Sequence, residues 1–451
     1  MSLRILHYSD VEAAYDDPDR VGRLAGLIRS RRDEATLVAG TGDNTAPGVL
    51  SLVSDGRQAL DLFRAIDADV ETFGNHDFDH GFDAARRIVR SSPQTWVSAN
   101  VRHDGEVFGR TAGVIPWTVV ERGGYRVGIV GVTDPTTASI NPVAEPLTLT
   151  DPIAAVRDAV STFRDRTTDY VVVLSHLGRG DEELVRAVDG IDAVLGGHVH
   201  TERIDRVNGA ILTRPGVNAE AVVEVTLGPD GPAATRHAID DAPVAVDVAS
   251  SIRRRSRSAA LHERVMTVDD PIERTEETAH GGESRIGNLV ADAYRWATDA
   301  DVALQNGGGI RTGPPLADEV TVADLMSVVP FEEPVAVAAV TGSELRSIVE
   351  EGDGAKTAFG DPDWWHAHVS GMAVRMVDGE VVDLAVGDEP VDPDTTYTIA
   401  TSDYLLYTDT EFPTLEASHR VETGETQYDV IVEYAREVGL DPVVEGRIVR
   451  E

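Results

Sequence analysis

A chain of 451 residues with 78 acidic and 40 basic side chains, net charge −38, has no basic stripe to hold a nucleic-acid polymer. It lacks cysteine, which excludes disulfides and thiolate chemistry, and it has neither an apolar leader nor the roughly 18–20 apolar residues of a membrane span, so a cytoplasmic, membrane-free protein is expected. Lys356 is the only lysine, and such acidity with lysine almost removed points to a halophile, where 1 M salt screens surface repulsion within about 3 Å.

In chain order, residues 1–240 alternate apolar runs with amphipathic segments. The runs at 36–39, 68–73, 127–132, 170–174 and 193–195 read as strands, near-continuously apolar and so buried on both faces. Segments 20–32, 59–66, 151–166 and 181–188 read as the helices between them, an α/β pattern. Residues 206–227 alternate like an antiparallel edge. Residues 241–265 form a partly helical connecting segment, with Arg253, Arg254, Arg255 and Arg257 on a solvated face paired with acids. A second domain, 266–451, starts with a helix at 287–298 and a strand at 302–304. The run Asn306-Gly307-Gly308-Gly309-Ile310-Arg311 follows, then mostly strands and turns with a late helix at 428–438.

Five short segments carry the chemistry: Asp10-Val11-Glu12, Gly42-Asp43-Asn44, Gly74-Asn75-His76-Asp77, Ser175-His176 and Gly196-Gly197-His198-Val199-His200. Each stands where an apolar run gives way to glycine and polar residues, so the side chains project from strand ends, where α/β sheets bind ligands. Carboxylates, one amide oxygen and imidazoles are the donors that two divalent ions roughly 3.5–4 Å apart require. In Gly-Gly-His-Val-His the i, i+2 spacing points both rings to one side of an extended segment, where each can serve a different ion.

This order resembles the calcineurin-like metallophosphoesterase pattern of D-x-H, G-D, G-N-H-[DE], H and G-H-x-H. The later run from Glu283-Ser284-Arg285-Ile286-Gly287-Asn288 to Asn306–Arg311 resembles the second domain of the 5'-nucleotidase/UDP-sugar hydrolase/2',3'-cyclic phosphodiesterase family, here of haloarchaeal type. The resemblance implies an α/β fold: an N-terminal four-layer αββα domain plus a C-terminal α+β substrate-binding domain. It assigns Asp10 and His200 to one ion, and Asn75, His176 and His198 to the other, with Asp43 bridging. His76 becomes the non-ligand histidine that assists at the phosphoryl or leaving oxygen, oriented by Asp79. Glu12 stands where the family has histidine. As a ligand it makes that ion's surroundings harder, favouring Mn²⁺ over Zn²⁺, with Mg²⁺ also possible.

The implied activity is phosphate release from nucleotides or related phosphorylated small molecules by in-line attack of metal-bound hydroxide. The alternatives are diester cleavage of 2',3'-cyclic nucleotides or nucleotide sugars, and a non-catalytic ligand-binding protein on the same fold. In the second domain the resemblance places the substrate at Asn306, Gly308 and Arg311, with Trp365, His366 and Phe412 around the base. The glycines of the family's closing turn are missing from 403–412.

Overall fold

The computed structural model describes residues 2–357 and 361–451, and the chain divides into two compact units, Met1–Ala259 and Ala260–Glu451. In the first unit, strands Leu3–Tyr8, Thr36–Gly40, Val70–Glu71 and Thr95–Trp96 run parallel in one six-stranded sheet. Ala221–Leu227 and Ala233–Ala238 complete it on the other side of Leu3–Tyr8. A second six-stranded sheet has Tyr125–Thr133, Tyr170–His176, Ala193–Gly196 and Ala210–Arg214 parallel at its centre.

Side-chain alternation stacks the two sheets. Leu3, Ile5, Leu37 and Ala39 from one sheet share a core with Val127, Ile129, Val172, Leu174 and Leu195 from the other. The alternate residues Val130, Val132, Val171 and Val173 face outward onto Val156, Val160 and Phe163 of helix Pro152–Asp165. Each such buried side chain stabilises the fold by about 1.5–3 kcal/mol. Helices Pro18–Arg31 and Ala59–Ile66 pack together and against helix Val246–Ser258. The outcome is the four-layer αββα arrangement. Both long helices open on Asp-Pro: Asp17 and Asp151 accept backbone N–H bonds of the first turn, and the proline needs no donor there.

One sequence expectation is redrawn, and the expected pairing of the arginine cluster with acids is found. Residues 206–227 are not one edge: Arg203–Val207 borders the second sheet, whereas Ala221–Leu227 lies inside the first, paired on both sides. The alternation was real, but it came from a strand whose two faces are unequally buried. The arginine-bearing helix Val246–Ser258 is tied to the first unit. Arg255 makes a bidentate pair with Asp61 at 2.7 and 2.9 Å, and Arg253 reaches Asp19 at 2.6 Å.

The second unit holds a five-stranded sheet in the order Ala367–Ser370, Val302–Asn306, Thr396–Ser402, Pro334–Thr341, Arg420–Thr426. Helix Arg285–Thr298, capped by the Ser284 hydroxyl on the Gly287 N–H, packs against this sheet and against helix Gln427–Glu437. Among the described residues no helix is long and apolar enough to cross a membrane.

His7 shows how deeply the first sheet is buried. Its ring lies between the Thr213 and Thr41 hydroxyls at 3.0 and 2.9 Å, and burial pushes its pKa down to about 3. The unfolded chain therefore takes up a proton between pH 6.5 and 3 that the folded chain refuses. Stability falls with pH across that window by about 1.4 kcal/mol per unit from this group alone. Denaturant melts from pH 7 to 4 check this: His7→Gln removes one proton's worth of slope.

Candidate metal centre

All five chemistry-bearing segments meet at the C-terminal ends of the parallel strands of the two sheets. The backbone there is unusual. Asp10, Glu12, Asp43 and His198 have φ of 49°, 44°, 52° and 73°, left-handed values that side-chain-bearing residues adopt at a cost of about 1–3 kcal/mol each. Such strain persists where the surroundings over-determine it. The Asp10 N–H donates to the Gly42 carbonyl at 3.1 Å, and the Asp10 carbonyl accepts the Asn218 N–H at 2.8 Å. Two glycines make the close approach possible. Gly42 has φ +89°, and a Cβ there would lie 2.4 Å from Gly74 N; one on Gly197 would lie 2.3 Å from Ser9 Oγ and 2.9 Å from Asp10 Oδ2.

Two clusters of donor atoms form, each with its atoms within 4.8 Å of one another: Asp43, His176 and His198 in one, and Asp10, Glu12 and His200 in the other. Asp43 Oδ2 lies 2.9 Å from His176 Nε2, and its Oδ1 accepts the His76 N–H at 2.8 Å. Burial raises the Asp43 carboxyl, but His176 and the His76 amide outweigh it and hold it below the usual carboxylate range. His176 Nδ1 donates to the Thr41 carbonyl at 2.6 Å, which leaves Nε2 as the nitrogen facing the cluster. Burial, with the nearby His176, keeps the His198 ring below its usual value, so it is a neutral donor. In the second cluster His200 Nε2 lies 3.0 Å from Glu12 Oε1. Burial, with the carboxylates of Asp43 and Glu12, pushes Asp10 up to about 7. Crowded buried carboxylates of this kind are stable only with positive charge among them.

The donors fit divalent cations. Asn75 Oδ1 is buried with no hydrogen-bond partner among the described residues, an arrangement that costs about 1–3 kcal/mol unless something else receives it. Oxygen and imidazole donors with no sulfur suit Mn²⁺, Mg²⁺ or Zn²⁺. The split between the two histidines of the last segment arises differently from the extended-strand expectation. The left-handed turn at His198 breaks the extended run, and each ring joins a different cluster.

Beside these donors, His76 Nδ1 bonds Asp79 Oδ2 at 2.8 Å, and Asp79 Oδ1 accepts the Asn141 amide at 2.8 Å. Burial opposes protonation of His76, but Asp79 and Asp43 override it and push the ring up to about 10. The end of strand Tyr170–His176 is anchored by a buried ion pair. Arg214 meets Asp181 Oδ2 at 2.9 Å, and Asp181 Oδ1 accepts the Ser175 hydroxyl at 2.6 Å. Breaking a buried pair leaves a charge without compensation, so Arg214→Ala is expected to cost about 3–5 kcal/mol in denaturant unfolding.

The second-unit candidates are less gathered. Arg311 is exposed, its guanidinium 4.7 Å above the Phe331 ring, and Gly308 is exposed beside it. Asn306 is buried and committed: it donates to Glu411 Oε2 at 2.9 Å and accepts from Gln305 at 2.8 Å. Trp365 and Phe412 are both 0% exposed within the hydrophobic core, so neither offers a face to a base. The half-buried ring is the neighbouring Trp364, stacked on His280 at 4.1 Å and 10°, with the buried His366 5.3 Å from His280.

Comparison with known proteins identifies the two domains. Residues 3–202 match the calcineurin-like phosphoesterase family, and residues 264–417 match the 5'-nucleotidase, C-terminal domain. The chain joins a calcineurin-like phosphoesterase domain to a 5'-nucleotidase C-terminal domain. Trifunctional nucleotide phosphoesterase protein YfkN of Bacillus subtilis is 24% identical over 99% of this chain, which spans only 35% of that longer protein. A 5'-nucleotidase of Diplobatis ommata is 23% identical, covering 99% of this chain and 89% of that one. The crystal structure of a 5'-nucleotidase precursor from Thermus thermophilus shares the fold, with a TM-score of 0.78 at 24% identity, covering 100% and 99% of the two chains.

Several residues of the phosphoesterase domain were not singled out from sequence. Asp77 accepts the N–H groups of Gly74, Asp43 and Thr45 at 2.7, 3.0 and 3.2 Å, stitching two of the five loops together. Its place inside the Gly-Asn-His-Asp run was the available signal. Thr41, which orients His176 through a carbonyl, and Asn141, which braces Asp79, carry no sequence signal. In the C-terminal domain His280 was missed for the same reason.

Proposed function

We propose that this chain is a two-metal phosphoesterase that releases phosphate from nucleotides or closely related phosphorylated small molecules. The observation that carries the reading is the pair of donor clusters, flanked by a histidine that belongs to neither and is held by Asp79. Asp43, His176, His198 and Asn75 would hold one ion, and Asp10, Glu12 and His200 the other. Divalent ions there would neutralise phosphoryl charge and acidify the attacking water. The protein's part is positioning and proton transfer. Asp79 holds His76 Nδ1, so Nε2 is the atom that gives a proton to the leaving oxygen. Recognition of the nucleotide is assigned to Gly308 and Arg311, whose exposed guanidinium can pair an anion.

Glu12 supports a harder ligand set and hence Mn²⁺ over Zn²⁺. Glu12→Ala is expected to lose the ion held with Asp10 and His200. Unchanged metal content of both sites by mass spectrometry would remove Glu12 from the ligand set. The acidic, lysine-poor composition supports a haloarchaeal-type protein active in 2–3 M KCl. The test of the reaction class is to compare, in that salt, phosphate release from AMP, p-nitrophenol release from bis(p-nitrophenyl) phosphate and UMP release from UDP-glucose. Preference for AMP is expected; faster cleavage of either diester would move the assignment to a phosphodiesterase.

A further inference from the structure

One fully buried acid has no part in the chemistry above. Glu71 ends the short strand Val70–Glu71 and is 0% exposed. Its Oε2 accepts the Tyr8 hydroxyl at 2.6 Å, and its Oε1 accepts the Asn44 amide at 3.0 Å and the Gly42 N–H at 3.4 Å. Asn44 carries the connection onward: its Oδ1 accepts the Val11 N–H at 3.3 Å, and its carbonyl accepts the Tyr15 hydroxyl at 2.9 Å. A single carboxyl group thus reaches the loop of Asp43 directly and the loop of Asp10 and Glu12 through Asn44.

The Asn44 and Gly42 N–H groups both donate to Oε1, while the Tyr8 hydroxyl can donate to the carboxylate or accept from the neutral acid, so the carboxyl group satisfies all three partners in either protonation state. Space for it is reserved: a Cβ on Gly40 would lie 2.2 Å from both Glu71 oxygens. Burial pushes this carboxyl up to about 8. An apolar side chain would sit in such a place without that penalty, so packing alone gives no reason for an acid here. Its connections run to the loops carrying three of the candidate metal ligands.

We infer that Glu71 is a positioning residue of the metal centre, holding the 10–12 and 42–44 loops in the arrangement that brings Asp10, Glu12 and Asp43 together. The inference rests on the two-metal reading above. Glu71→Leu has a similar volume but removes both acceptors, so the bonds to Asn44, Gly42 and Tyr8 are all lost.

The test is calorimetric titration of Mn²⁺ into metal-stripped wild type and Glu71→Leu in 2 M KCl, with thermal melts of both stripped proteins. The expected result is binding of at least one ion weakened about 10–100-fold, as for other groups that orient ligands, with no drop in the melting temperature of the stripped variant. Affinities within twofold of wild type at unchanged stoichiometry would overturn the inference and leave the two-metal reading standing. Wild type binding fewer than two ions would instead overturn that reading, and this inference with it. A melting temperature that falls in step with affinity would reduce Glu71 to a folding role. Should Glu71→Leu fail to fold, Tyr8→Phe decides the matter: weakened Mn²⁺ binding upholds the role, and wild-type binding rejects it.

Discussion

Asp43→Ala will release phosphate from AMP with kcat/KM lowered by more than about 10⁴, the upper range for loss of a single proton-transfer group. The expectation follows from what Asp43 touches. One oxygen faces His176 Nε2 at 2.9 Å, the other takes the His76 N–H at 2.8 Å, and the side chain is 1% exposed. Removing it withdraws a donor from the His176–His198 cluster and lets the His76 loop drift, so metal content and geometry fail together. Asp43→Asn separates the two effects. It keeps the shape and a carbonyl for the His76 N–H while removing the charge. Metal analysis of Asp43→Asn is expected to show depleted ions in a protein that melts near the wild-type temperature.

His76→Ala is expected to have the second-largest effect, a fall in kcat of about 10²–10⁴ with the metal ions retained. His76 stands outside both donor clusters, and its Nδ1 is taken by Asp79, so only Nε2 is free to serve a substrate oxygen. Asp79→Asn should cost less, about 10–100-fold, because it disturbs ring orientation and proton affinity without removing the ring. Steady-state rates with AMP, alongside metal content, check both. An unchanged rate for His76→Ala would leave the ring without a catalytic role.

The phosphoesterase domain was readable because its strands and candidate ligands follow local rules. Near-continuous apolar runs such as 170–174 are buried strands, and each hands over to a loop whose glycines permit the close packing seen at Gly42 and Gly197. Histidine and aspartate at those positions have few other reasons to occur. What escaped the sequence is contact between loops. Asp77, Glu71, Thr41 and Asn141 act by reaching across to other segments, and spacing along the chain says nothing of such distances. The base pocket failed for a different reason. Trp364 and Trp365 are adjacent, and which ring faces the core depends on how the chain enters strand Ala367–Ser370. A shift of one residue exchanges a half-buried ring for a fully enclosed one. Phe412, likewise, sits in the core although a family turn suggested otherwise.

The central claim is that two ions, held by two distinct donor clusters, are required for phosphate release. It is tested most directly by adding Mn²⁺ in measured equivalents to the metal-stripped protein in 2–3 M KCl and following phosphate release from AMP. The account predicts no release without metal and full activity only after the second equivalent. Hydrolysis by the stripped protein, or saturation at a single equivalent, would contradict it.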